Sequence, residues 1–123
     1  MNVEVRAVSK YVRMSPRKVR LVVDLVRGRD VNEALTILRF TPKAAADPVA
    51  RVIASAAANA EENYGLAADE LYVARIWADK GPTLKRGRAG ARGRFKPMLK
   101  RSSHITVVLS ERAEASASPQ DLP

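Results

Sequence analysis

Between Lys80 and Ser110 the chain places nine cations and no carboxylate: Lys80, Lys85, Arg86, Arg88, Arg92, Arg94, Lys96, Lys100 and Arg101. The chemistry open to such a set is recognition of phosphate. Guanidinium groups offer planar, bidentate donor pairs, and lysines offer mobile point charges. Gly87, Gly90 and Gly93 are interleaved with them and allow tight turns and close backbone approach to a ligand. Taking these nine cations from the chain's 22 Lys and Arg leaves 13, against 13 Asp and Glu. The whole formal charge of +9 is therefore carried by one segment. A run of charge is usually a solvated surface. Concentration in one place, with no acid and with strand-like flanks, points instead to a polyanion-binding element.

A second, weaker cluster holds Arg6, Lys10, Arg13, Arg17, Lys18, Arg20, Arg27 and Arg29 against the single acid Asp24. Arg17, Lys18 and Arg20 fall in the first turns of an expected helix. Cations there oppose the helix dipole, each at a cost of about a few tenths of a kcal/mol. Stability alone would favour acids at those positions, so a ligand explains the cations better. The sole histidine, His104, lies beside Ser102, Ser103 and Thr106 with no neighbouring acid or cysteine to make it a general base. A phosphate or hydrogen-bond contact on the outer face of a sheet suits it better. Trp77 can stack on a base or anchor the foot of the basic segment, and the second reading is preferred. Met14 and Met98 read as packing residues. The sequence holds no Walker loop, dinucleotide fingerprint, metal-spaced cluster or catalytic triad. No enzyme activity, cofactor or metal is expected.

The elements that must position these groups follow from periodicity. Residues 2–10 alternate, with Val3, Val5 and Ala7 on one side, as a half-buried strand does. Ser15-Pro16 opens a helix, serine as N-cap and proline at the first position, and Val19, Val22, Val23 and Val26 form its apolar stripe up to Gly28. Asp30, with Glu33 at capping-box spacing, opens a second helix over Val31, Ala34, Leu35 and Leu38, ending near Phe40. Thr41-Pro42 repeats the device and starts a third helix that runs to about Asn63. Ala46, Val49, Ile53, Ala56 and Ala60 line one face, and Pro48 should kink or restart it, with Asp47 recapping.

From Glu70 the period becomes 2. Tyr72, Ala74, Ile76 and Ala78 are expected on one face, and Leu71, Val73, Arg75 and Trp77 on the other. A matching strand carries Ile105, Val107 and Leu109, with His104, Thr106, Val108 and Ser110 opposite. Strand, basic loop and strand then read as one long antiparallel hairpin at about residues 77–103. From Trp77 to Gly90 each side could reach ~40 Å at ~3.3 Å per residue, against a radius of gyration near ~13 Å for a domain of this size. The expected organisation is one domain over residues 1–112 and a disordered tail over 113–123, where Ala, Ser and Pro replace any periodicity.

Length and composition agree. A chain of 123 residues suits one domain, and at 46% apolar but 5% aromatic its core must be aliphatic. There is no cysteine, so disulfides and thiolate metal sites are excluded. The N-terminus has no apolar signal region and no run approaches the ~20 apolar residues of a membrane span, so a soluble, cytoplasmic protein without membrane contact is expected.

Several stretches also resemble a known family. Tyr11-Val12-Arg13-Met14-Ser15-Pro16-Arg17-Lys18-Val19-Arg20-Leu21-Val22-Val23-Asp24-Leu25-Val26-Arg27-Gly28 is similar to the opening of bacterial large-subunit ribosomal protein twenty-two. So are Ala56-Ala57-Ala58-Asn59-Ala60-Glu61, Gly81-Pro82, and Leu99 through Val108. The resemblance covers about residues 3–112 in order. It implies an α+β fold, three helices on a three-stranded antiparallel sheet with a protruding basic β-hairpin. It implies a structural component of the large ribosomal subunit that binds ribosomal RNA, bridges its domains during assembly, and neighbours other ribosomal proteins. The hairpin tip would line the nascent-peptide exit tunnel, here at Arg88, Ala89, Gly90, Ala91, Arg92, Gly93 and Arg94, and meet the nascent polypeptide. Body contacts to RNA would include Arg13, Arg17 and Lys18. The tip departs from the family's usual proline and bulkier apolar residues, and the tail beyond Ala113 has no match.

The expected RNA-binding set is thus Arg6, Lys10, Arg13, Arg17, Lys18, Arg20, the nine cations above, and His104. No small-molecule substrate or homo-oligomer is expected. Composition also permits a DNA-architectural protein with β-arms, Phe95 or Pro97 serving as wedge, but no second symmetric surface for a dimer is evident. A basic nuclease lacks a carboxylate cluster near the arm, and a membrane-surface role lacks an amphipathic helical stripe.

Overall fold

The structure, a computed structural model, describes residues 3–90, 93 and 95–111. The tail over 113–123 and the tip residues Ala91, Arg92 and Arg94 lie outside them. The elements in chain order are strand β1 (Glu4–Val12), helices α1 (Pro16–Val26), α2 (Val31–Arg39) and α3 (Ala46–Tyr64), a short 3₁₀ turn (Ala68–Glu70), and strands β2 (Leu71–Lys80), β3 (Leu84–Ala89), β4 (Phe95–Lys100) and β5 (Ser103–Glu111). β1, β5 and β2 form an antiparallel sheet with β5 in the middle, while β3 and β4 form a separate two-stranded ladder. The fold is α+β, three helices on one face of the sheet, as expected.

The core lies between helices and sheet. Val19, Val22, Val23 and Val26 of α1 are fully buried, as are Val49, Ile53, Ala56 and Ala60 of α3, against Val73, Ile105, Val107 and Leu109. Each such Val, Leu or Ile side chain contributes roughly 1.5–3 kcal/mol by leaving water. Alanines on α3 let it lie close to β1 and β5, while α1 covers β2.

Several local expectations are corrected. The third helix begins at Ala46, not at Thr41-Pro42, so Pro48 occupies its first turn. A missing N–H there costs no helical bond, and the anticipated kink has no cause. Ser15 and Asp30 make no side-chain cap bond. The Ser15 carbonyl accepts from Lys18 and Val19, and Glu33 pairs with Arg29 instead of closing a capping box. In β2 the strict alternation fails. Val73 faces Leu109 and Arg75 faces Val108, so Ala74 is an extra residue, a β-bulge. The bulge changes the phase of the strand, and the buried residues are Leu71 and Val73 before it and Ile76 and Ala78 after it.

β2 would otherwise present an open edge, a hazard for stray pairing. The α1–α2 connection covers it. Gly28 N–H donates to the Val73 carbonyl and Val73 N–H to the Arg29 carbonyl, both at 2.8 Å, and Asp30 bridges to Tyr72. Gly28 adopts φ of +83°, which closes α1 and turns the chain toward that edge. Further along, Arg27 Nη2 donates to Ile76 O (2.9 Å), and Arg20 Nε and Nη2 donate to Ala78 O (3.3 and 3.1 Å).

Candidate nucleic-acid interface

The interface is built around the foot of the arm. Trp77 to Lys80 and Ser103 belong to the body sheet, and the separate ladder runs from Leu84 to Lys100. Between them Gly81 N–H donates to Ser102 O (2.9 Å) and Ser102 Oγ donates to Pro82 O (2.6 Å). A Cβ on Gly81 would stand 2.6 Å from Ser102 Oγ and 3.2 Å from His104 Cε1, so a side chain here would have to displace the Ser102 hydroxyl that bonds Pro82 O. Proline at 82 brings no N–H and the ladder breaks. In the ladder itself Pro97 lies opposite Gly87, tolerable because each strand has a free edge. Gly93, at φ +74°, lies between β3 and β4.

On the body, the turn from β1 to α1 is pinned to this foot. The buried Ser103 hydroxyl donates to Met14 O at 2.6 Å. A second bulge shifts the β1–β5 register between Ser9 and Val12, and Tyr11 takes φ of 60°, a left-handed conformation that costs a non-glycine residue on the order of 1–3 kcal/mol. Tyr11 N–H donates to His104 Nδ1 (3.1 Å), leaving Nε2 as the ring's donor, and the two rings meet edge to face with centroids 5.0 Å apart. His104 is thus a hydrogen-bond partner of β1 as well as a residue of the sheet.

The expected contact residues sort by place. Arg13, Arg17 and Lys18 are exposed beside the foot, and Lys80, Lys85, Lys100 and Arg101 are exposed on the arm and its base. Arg86, Arg88 and Lys96 are placed by the β3–β4 ladder through their backbones. Arg6 and Lys10 are exposed on β1. The Arg6 guanidinium lies 6.0 Å from the centre of the Trp77 ring on the sheet's outer face, at the limit of cation–π range. Trp77 Nε1–H donates to Asp79 Oδ2 (3.0 Å), so the ring sits on the body rather than in the arm. Arg20 reaches from α1 to the Ala78 carbonyl and ties helix to sheet. The side chains of Phe95, Pro97 and Met98 lie outside the described ones.

Among the described residues, ion pairs take Arg27 with Asp24, Arg29 with Glu33, Arg51 with Asp47 and Arg75 with Glu4. None of these four arginines is in the expected RNA-binding set, and no member of that set whose side chain is described appears in an ion pair. Four arginines of the body are thus matched locally, while the described cations at the foot, Arg13, Arg17, Lys18, Lys100 and Arg101, are left for an external anion. Two residues escaped the sequence reading. Lys43 faces the foot from the turn before α3, hidden because that helix was expected to start earlier. Tyr11 lies beyond the strand expected at residues 2–10 and is marked in the sequence only as the start of the family motif, and the bulge that turns its side chain out depends on register with β5, which leaves no local mark.

A family model for ribosomal protein L22p/L17e matches residues 7–110. The chain belongs to this family. Its curated relatives include the large ribosomal subunit protein uL22 of Clostridium novyi, 56% identical over 110 residues that cover 89% of this chain and 99% of the relative. The protein of the same name from Thermoanaerobacter sp. is 60% identical over 109 residues, covering 89% and 98%. That of Pelotomaculum thermopropionicum is 56% identical over 111 residues, covering 90% and 98%. The matched span runs from β1 to β5 and so includes both the body and the arm of this family member.

Proposed function

We propose that this chain is a structural component of the large ribosomal subunit, in the cytoplasm, where it binds large-subunit ribosomal RNA and neighbours other ribosomal proteins. The observation that carries the reading is the division of charge: the net +9 lies on an acid-free arm, and the cations around its foot are left out of every described ion pair. Its role is architectural rather than catalytic. The unit is one domain over about residues 1–112 with its hairpin, and it acts as a monomer.

Arg13, Arg17, Lys18, Lys100 and Arg101 would orient the body on RNA. Lys80, Lys85, Arg86, Arg88 and Lys96 would neutralise phosphates along the arm, where RNA segments from different domains converge. Arg6, Lys10, Arg20 and His104 complete the surface. The turn region from Arg88 to Arg94 would line the exit tunnel and meet the nascent chain. Each neutralised phosphate releases counterions, so the log–log dependence of affinity on salt should steepen by about 0.7 to 0.9 per contact.

Sedimentation of a lysate through a sucrose gradient after a high-salt wash, with and without ribonuclease, tests this. Migration with the large subunit that resists salt and is lost to ribonuclease is expected. A free protein, or one that travels with DNA, would sink the proposal.

A further inference from the structure

An open groove of about 1160 Å³ lies between the foot of the arm, the start of α1 and the turn before α3. Its walls are apolar: Tyr11, Met14, Leu21, Leu84 and Leu99. Four of these are large side chains left in solvent, Tyr11 at 64% and Leu21 at 57% exposed, with Leu84 and Leu99 close to half. The rim holds Arg13, Lys18, Lys43, Lys100 and Arg101, and no acid lines it among the described residues. Apolar side chains gathered at one place and rimmed by polar groups are a feature of interaction sites, and a rim of cations around them suits an anionic chain with an apolar, flat component.

Tyr11 supplies the recognition element. Its backbone is held in the left-handed region by a bulge and by the bond to His104, and strain of this kind is kept where a side chain must be aimed. The His104 ring meets it at 88° instead of stacking flat on it, and the Tyr11 side chain is largely exposed, so much of the phenol ring is open to solvent. A nucleobase stacks on such a ring, and the phosphates on either side of it would meet the rim cations. The groove, at about 1160 Å³ and open to solvent, is ample for one nucleotide with its flanking phosphates.

We infer that this groove receives an unpaired, unstacked nucleotide of the RNA, its base on Tyr11 and its flanking phosphates on Lys18, Lys43 and Arg101. His104 acts as a positioning residue that holds Tyr11 in place. This rests on the RNA-binding reading above and adds a base contact to a surface otherwise read as binding backbone.

The test uses the full chain and transcribed large-subunit ribosomal RNA. Tyr11→Leu keeps the apolar bulk and removes the ring; affinity should fall roughly 5- to 150-fold with the salt slope unchanged, while Tyr11→Phe stays near the parent. One or a few unpaired bases protected from chemical modification by the parent should regain reactivity with Tyr11→Leu, and backbone footprints should persist. Leu99→Ser, on the opposite wall and outside the core, should give the same pattern without touching the bulge. Unchanged affinity and base reactivity in both variants, with RNA still bound at a steep salt slope, would overturn the groove assignment and leave RNA binding standing. A parent protein that does not bind the RNA would remove both. Self-association of the parent that Leu99→Ser abolishes would give the groove to a second copy and overturn the inference.

Discussion

In the body, three helices and a three-stranded sheet bury a shared layer of Val, Ile, Leu and Ala, and Arg27, Arg29, Arg51 and Arg75 pair with acids one helical turn away or across the sheet. In the arm, two six-residue strands pair with each other, none of their described side chains belongs to that layer, and their described cations, Lys85 and Lys100, have no acid partner among the described residues. A two-stranded ladder alone is marginal in water, and like charges along it oppose its folding. The body is therefore complete as a folded object, whereas the arm is completed by the polyanion it binds. Stability and affinity should be carried by different residues.

The largest effect that would break this division lies in the core. Ile53→Ala should cost about 2–5 kcal/mol of stability by leaving a cavity under the sheet, read as a lower denaturation midpoint. The fraction that stays folded should bind RNA with the parent's salt slope, and a changed slope would mean that body packing and binding are one system. Replacing Arg17 and Lys18 together with alanine should do the reverse. The salt slope should flatten by about 1.4 to 1.8, with the melting temperature held or raised because two cations leave the positive end of α1. The smallest expected effect is the sharpest control. Arg51→Ala removes as much charge as either of those single changes, but from an exposed pair with Asp47 at 2.8 Å. Stability should move by no more than about 0.5 kcal/mol, and the salt slope should not move. If it flattens as it does for Lys18→Ala, total charge rather than its placement governs binding.

Much of this was legible in the chain because the signals are local. The valine spacing of α1, the glycine stop at Gly28, and the alternation of β1 depend on neighbours within a turn or two. What was misread depends on distant partners. The phase of β2 follows from the extra residue Ala74, which exists only relative to β5. Lys43 joins the groove only because α3 starts at Ala46.

Element types, the concentration of charge and the family follow from the order of residues alone, since periodicity, composition and motif order are properties of a string. Tertiary structure alone decided that β5 is central, that Arg20 and Arg27 reach edge carbonyls of β2, and that Tyr11 and His104, 93 positions apart, meet at the foot of the arm. Those are outcomes of strand register and of where unsatisfied backbone groups find donors, and both are settled only when the whole sheet closes.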